Sequence, residues 1–246
     1  VTANSSINVF LLDIEGTTTP IDFVYKVLFP YARAHLREYL RTHLDEPELQ
    51  PALSALLELN LKDTNRGLDP PGLVGPVRDV TVDEAVAYLH WLMDRDSKAT
   101  PLKSIQGKIW EAGYSSGELI SEVFEDVPRA FERWRANGKR ICIYSSGSVL
   151  AQRLLFSSTQ LGDLTTCIAE YFDTNVGAKR EPESYRRISA ALGVPGSEIL
   201  FISDVTEELD AAASAGLETC LCVRPGNHPQ SEASNYRVIH SFDQVP

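Results

Sequence analysis

Ile7-Asn8-Val9-Phe10-Leu11-Leu12-Asp13-Ile14-Glu15-Gly16-Thr17-Thr18-Thr19 opens the informative part of the chain. Residues 7–12 form a short apolar run without the spacing of an amphipathic helix, which predicts a strand buried on both faces. The run ends on a carboxylate, Asp13, and the Gly and Thr residues after it read as a loop. Similar runs recur at 141–144, 199–202 and 219–223. Helical patterns lie between them. Val127, Phe131 and Trp134 keep helical spacing before Gly138, and Leu209, Ala212, Ala213 and Ala215 do so before Gly216. Strands alternating with helices predict a three-layer α/β fold around a parallel sheet.

Residues 21–124 have a different character. Val82, Ala85, Val86, Leu89 and Met93 repeat at helical spacing, and Leu102, Ile105 and Ile109 continue the period. Residues 22–43 are also helix-like, with Pro30 either kinking one helix or opening a second. The Gly- and Pro-rich residues 66–76 read as a loop. The expected organisation is an α/β core from residues 1–20 and 125–246, interrupted by a helical insertion at 21–124.

The formal net charge of −11, with no dense Lys/Arg run, makes nucleic acid a poor partner. No window approaches membrane-span length and no signal-peptide pattern opens the sequence, so the expected location is cytoplasmic. Cys142, Cys167, Cys220 and Cys222 include no Cys-x-x-Cys pair. Cys142, Cys220 and Cys222 lie in short apolar runs and read as small buried hydrophobes, and a reducing compartment fits.

In open α/β sheets, sites lie at the carboxyl ends of strands. Four places qualify here: Asp13, Ser145, the residues after Tyr171-Phe172, and Asp204. A carboxylate such as Asp13 can attack phosphorus, and Glu15 is placed to act as acid and base beside it. Tyr144-Ser145-Ser146-Gly147-Ser148 offers hydroxyl and backbone N–H donors to an oxyanion. Neither Ser145 nor Ser146 has Gly two residues before it, so a serine nucleophile elbow does not fit. Lys179 can balance phosphoryl charge, with Arg180 its local competitor. Asp204 suits Mg²⁺, with Glu208 a turn later as ligand or support. Taken singly, each has an ordinary alternative: solvated loop, Ser/Gly turn, surface lysine, helix cap.

Their order is what carries weight. Asp13/Glu15/Thr17, then Ser145, then Lys179, then Asp204 resembles the four motifs of the haloacid dehalogenase (HAD) superfamily. The resemblance implies a HAD-like Rossmannoid core, with residues 21–124 as a C1-type cap over the site. Most phosphatases of that superfamily carry Asp where this chain has Glu15. The string from Leu11 to Ile21 is similar instead to the enolase-phosphatase branch. So are Tyr144-Ser145-Ser146-Gly147-Ser148-Val149, Glu183-Ser184-Tyr185-Arg186, Asp204-Val205-Thr206 and Val223-Arg224-Pro225-Gly226-Asn227. Gln106-Gly107 followed by Trp110 matches within the cap.

That resemblance implies a monomeric enzyme of methionine salvage acting on a small phosphorylated substrate, 2,3-diketo-5-methylthiopentyl 1-phosphate. It enolises the substrate and then releases phosphate to give the acireductone. Asp13 would be the nucleophile and Glu15 the acid/base. Mg²⁺ would be held by Asp13, Asp204 and the main-chain carbonyl of Glu15. Ser145, Ser146 and Lys179 would hold the phosphoryl oxygens. Tyr25, Phe29, Trp110 and Tyr114 are candidates for the methylthio tail, against the plainer expectation that such aromatics are helical core. The rival readings are another phosphatase of the superfamily, a metal-free dehalogenase, and a non-enzymatic phospho-acceptor domain.

Overall fold

The computed structural model describes residues 7–230 and 235–246. In chain order the elements begin with β1 (Val9–Leu12), α1 (Ile21–Phe23) and a π turn at Val24–Leu28. The helices α2 (Phe29–His43), α3 (Gln50–Asn65), α4 (Val82–Asp94) and α5 (Thr100–Ser116) follow. Then come α6 (Asp126–Ala136), β2 (Arg140–Tyr144), α7 (Val149–Ser157), β3 (Glu170–Phe172) and α8 (Pro182–Leu192). The chain closes with β4 (Ile199–Ser203), α9 (Thr206–Ser214), β5 (Glu218–Cys222) and β6 (Val238–Ile239). No helix among the described residues is long and apolar enough to cross a membrane.

Two compact units emerge: Val1–Lys26 with Leu119–Pro246, and Val27–Glu118. The first unit is wider at both junctions than residues 1–20 and 125–246. The cause is local. Phe23 of α1 is buried, and Ser121 N–H donates to Ser158 O at 2.8 Å. Phe124 N–H donates to Thr18 O at 3.1 Å. These hydrogen bonds bind residues near 121 and 124 to the α/β unit before α6 begins.

The first unit holds a six-stranded sheet in the order β3-β2-β1-β4-β5-β6, parallel throughout. β1 is central, pairing Phe10 with Ile141 of β2 and with Leu200 of β4. All four of its residues are buried, as a strand covered on both faces requires. α6 buries Val127, Ala130, Phe131 and Trp134 at i, i+3, i+4 and i+7. Trp134 stacks on Phe10 with ring centroids 4.0 Å apart, joining helix to sheet. β6 escaped the sequence reading because two residues carry no periodicity.

The second unit contains α2, α3, α4 and α5, with no named strand among its described residues. Pro30 lies in the first turn of α2, but Leu28 before it is already helical at φ −66° and ψ −51°, so Pro30 interrupts a helical run that includes the π turn at Val24–Leu28 rather than opening a separate helix. Thr81 and Glu84 form a reciprocal capping box at the start of α4. Residues 66–76 are irregular as expected, pinned by the buried side chain of Asn60 to Pro71 O and Leu73 N–H.

Candidate active site

The sheet's topology changes direction beside β1, whose two neighbours are β2 and β4. Asp13 leaves the end of β1 and Asp204 leaves the end of β4, so they flank the switch point where ligands of such sheets bind. Asp13 N–H still donates to Ile202 O at 3.0 Å, and its carboxylate is buried. The loop then folds onto itself. Ile14 O accepts from the N–H groups of Thr17, Thr18 and Thr19 at 3.2, 3.0 and 3.0 Å, and Gly16 N–H donates to Thr19 O at 2.8 Å. Gly16 takes φ +69°, and a Cβ there would collide with the Asp204 carboxylate. Glycine is needed for both reasons. All three threonines are buried. Thr18 Oγ1 donates within the loop, to Asp13 O or Ile14 O, while Thr17 Oγ1 and Thr19 Oγ1 have no hydrogen-bond partner in the protein.

Around Asp13 the side chains form one charged cluster. Asp13 Oδ1 accepts from Ile14 N–H at 2.8 Å and from Lys179 Nζ at 2.6 Å. Lys179 also reaches Glu208 Oε2 at 2.7 Å. Ser203 Oγ lies 3.2 Å from Asp13 Oδ2 and 3.0 Å from Glu208 Oε2, and its single proton serves one of them at a time. Lys179 is buried against these carboxylates, whereas its neighbour Arg180 is exposed. Burial alone would lower the Lys179 pKa, but the carboxylates of Asp13, Glu208 and Glu15 outweigh it and hold the ammonium above its ordinary range. Burial, reinforced by the charge on Asp13, pushes Asp204 up to about 8. Burial likewise raises Glu208 to about 7, against the opposing pull of Lys179.

At the end of β2, Ser145 is buried and its Oγ accepts from Gly147 N–H at 3.1 Å, so the hydroxyl proton remains to be donated. The expected cradle of backbone N–H groups is smaller than the sequence suggests. Ser145 N–H donates to Phe172 O, Gly147 N–H to Ser145 Oγ, and Val149 N–H to Asp173 Oδ2. Ser146 follows Ser145 at the strand end and is partly exposed. Gln152 Nε2 holds this turn through Gly147 O and Phe172 O at 2.9 and 2.8 Å.

A haloacid dehalogenase-like hydrolase profile matches residues 7–216. Enolase-phosphatase E1 of Synechococcus elongatus is 49% identical over 240 residues, covering 98% of both chains. The chain belongs to the enolase-phosphatase E1 family of haloacid dehalogenase-like hydrolases. Enolase-phosphatase E1 of Drosophila ananassae is 44% identical, covering 96% of this chain and 93% of its own. The crystal structure of the UTR4 protein of Saccharomyces cerevisiae superposes with a TM-score of 0.78 at 35% identity, covering 97% of this chain and 100% of that one.

Within this family member, the geometry joins Asp13, Lys179, Glu208 and Ser203 directly, with Asp204 packed against Gly16. Glu15 stands on the same loop, and its charge acts on both Lys179 and Asp204. Gln106 and Trp110 belong to the helical unit, on α5. There Trp110 is buried, donates its indole N–H to Leu28 O at 2.9 Å and packs at a tilt on Phe29. These contacts are those of helical core. Tyr25 is 55% exposed.

Three further residues had no role assigned from the sequence. Ser203 closes a strand as an ordinary small residue, and only the fold brings it to Asp13. Arg224 is buried in an ion pair with Asp126 at 2.9 Å and donates Nε–H to Thr17 O at 3.2 Å. Asn227 Nδ2 donates to Gly16 O at 2.9 Å. Both belong to the string at 223–227, so the resemblance marked them without a reason. Cys142, Cys220 and Cys222 are buried, and burial pushes their thiols up to about 12, 11 and 12.

Proposed function

We propose that this protein enolises 2,3-diketo-5-methylthiopentyl 1-phosphate and then removes its phosphate, yielding the acireductone of methionine salvage. The observation that carries this reading is the Asp13 carboxylate. It is buried at a strand end, oriented by Ile14 N–H, Lys179 and Ser203, and followed two residues later by Glu15. An oriented carboxylate with a second acid beside it suits a covalent acyl-phosphate route. The relatives' name, enolase-phosphatase E1, supplies the reaction pair.

In this reading Asp13 attacks phosphorus and the leaving oxygen departs with a proton from Glu15. Glu15 then takes a proton from water, which cleaves the acyl phosphate. Lys179 balances charge on Asp13 and on the phosphoryl oxygens. Ser145 donates its free hydroxyl proton, with Ser146 beside it. Phosphoryl transfer needs positioning and charge balance above all.

The donor set fits Mg²⁺. Asp13, Glu15 and Glu208 set their charge around one buried ammonium, and burial together with the charge on Asp13 holds Asp204 near neutrality. Among the described residues no cluster of three or more His, Cys, Asp or Glu side chains has metal-holding geometry. Mg²⁺ does not require one, because it takes one or two carboxylates with water and phosphate oxygens. Asp13, Asp204 and the carbonyl of Glu15 would hold it, and it would supply neutralisation of phosphoryl charge.

The test is direct assay of the diketo phosphate with and without Mg²⁺, following enol absorbance and phosphate release together. Asp13→Asn should lower phosphate release by roughly four orders of magnitude or more while the fold persists. Retained full activity in that variant would overturn the nucleophile assignment. Activity confined to other phosphate esters would overturn the substrate. For the enolisation base, Glu15→Gln should slow solvent deuterium exchange at C1, and undiminished exchange would exclude Glu15.

A further inference from the structure

We propose that residues 223–227 form a clamp on the nucleophile loop, and that Asn227 sets the carbonyls of that loop for cation binding. The second half rests on the cation reading above. The clamp grips two successive carbonyls: Arg224 Nε–H donates to Thr17 O at 3.2 Å and Asn227 Nδ2–H to Gly16 O at 2.9 Å. Each grip is itself anchored. The Arg224 guanidinium pairs with Asp126 at 2.9 Å, donates to His240 O at 3.1 Å and lies between the rings of Phe124 and Phe242. Asn227 Nδ2 also reaches Cys222 O at 3.3 Å, and Asn227 N–H closes the turn on Arg224 O at 3.2 Å.

The amide of Asn227 has one workable orientation. Reversing it would set Oδ1 against the carbonyls of Gly16 and Cys222, four lone pairs with no proton between them. As it stands, Oδ1 faces the Cα of Gly16 on the side that the Asp204 carboxylate also approaches. That Oδ1 is buried with no hydrogen-bond partner in the protein. The segment continues to Gln230, whose Oε1 accepts from Thr206 N–H and Oγ1 at 3.4 and 3.3 Å, at the start of α9. One stretch of chain therefore holds the loop after β1 and the helix that follows Asp204. The Glu15 carbonyl lies one peptide before the gripped Gly16 carbonyl. Polar partners of this kind, one step outside the ligands, fix ligand direction.

The experiment uses the full chain stripped with EDTA. Asn227→Leu keeps the branched heavy-atom shape and removes the donor and the acceptor; Asn227→Ala is the second variant, and His228→Ala an exposed neighbouring control. Amide hydrogen exchange at residues 16–19, without metal, should quicken roughly fivefold in both Asn227 variants, the worth of one hydrogen bond. Mg²⁺ affinity by calorimetry without substrate should weaken roughly tenfold. His228→Ala should move neither. Unchanged exchange in a folded Asn227 variant overturns the clamp. Faster exchange with unchanged Mg²⁺ affinity overturns its link to the cation. Wild-type protein that binds no Mg²⁺ overturns the cation reading and the second half with it, and the exchange data then judge the clamp alone. If both Asn227 variants fail to fold, Arg224→Lys loosens the Thr17 grip by removing the Nε–H donor, and the same exchange readout applies.

Discussion

Lys179 is where single residues have most leverage. Its ammonium lies 2.6 Å from Asp13 and 2.7 Å from Glu208, in a slot that leaves 9% of the side chain exposed. Lys179→Met keeps most of the stem and deletes the charge, leaving two buried carboxylates facing each other without a counter-ion. Phosphate release should fall by roughly 10²–10³-fold, the usual cost of one charge-stabilising donor. Lys179→Arg should rescue little of it, because a planar guanidinium does not fit where a compact ammonium is enclosed. Steady-state kinetics on the two variants check this, and activity of Lys179→Arg near wild type would contradict it. Gly16 gives a second case. Gly16→Ala meets both a positive φ and the Asp204 carboxylate, so activity should drop sharply and stability by roughly 1–3 kcal/mol. Thermal unfolding and activity measured on the same sample test both halves.

Between strands and helices, the connection from β3 to α8 sets Lys179 in place. Tyr144 Oη–H donates to Gly177 O at 2.9 Å, Ser184 Oγ–H to Ala178 O at 2.7 Å and Tyr185 Oη–H to Lys179 O at 2.7 Å. Three hydroxyls thus hold three successive carbonyls, and Gly177 at φ +141° leaves room for Ser184. Tyr185→Phe should cost about 1–3 kcal/mol, because it strands a buried carbonyl, and should also lower kcat. Thr81→Ala removes the capping box of α4 and should cost about 1 kcal/mol with kcat unchanged. Paired denaturation and kinetic measurements separate the two; equal kcat in both variants would deny the loop its positioning role. This connection also marks what the sequence could disclose. β1 was legible because a strand covered on both faces is an unbroken apolar run, and α6 because burial of one face imposes a period on its apolar residues. Asp13 and Asp204 were legible because each lies directly beyond an apolar strand, whereas Lys179 stood out from other loop lysines only through the motif order that the resemblance supplied. Ser184, Tyr185, Arg224 and Asn227 act through hydroxyl, guanidinium and amide contacts across the fold, and such contacts leave no period. Nor does a strand of two residues, β6.

For the molecule as a whole, the concentration of acid at one site ties stability to pH and to cations. Asp204 holds its proton up to about 8 and Glu208 to about 7, against ordinary values of 3.8 and 4.5. Between these limits the folded chain carries more protons than the unfolded chain, so its stability falls as pH rises through the window. Below the ordinary carboxylate values both states are protonated there and the two groups contribute nothing; above about 8 the full penalty is present. A divalent cation binds the ionised carboxylates and releases their protons, so its stabilisation grows over the same range. Metal-free protein in EDTA should therefore lose Tm between about pH 6 and about pH 8, and excess Mg²⁺ should raise Tm more at the higher pH. Calorimetry at both pH values, with EDTA or Mg²⁺, makes the comparison. Groups remote from the site titrate alike with and without the ion, so the difference between the two Mg²⁺ gains isolates the cluster. Asp204→Asn should flatten that difference by removing the largest shift. An Mg²⁺ gain that is equal at both pH values in the wild-type protein would contradict the charge balance drawn here.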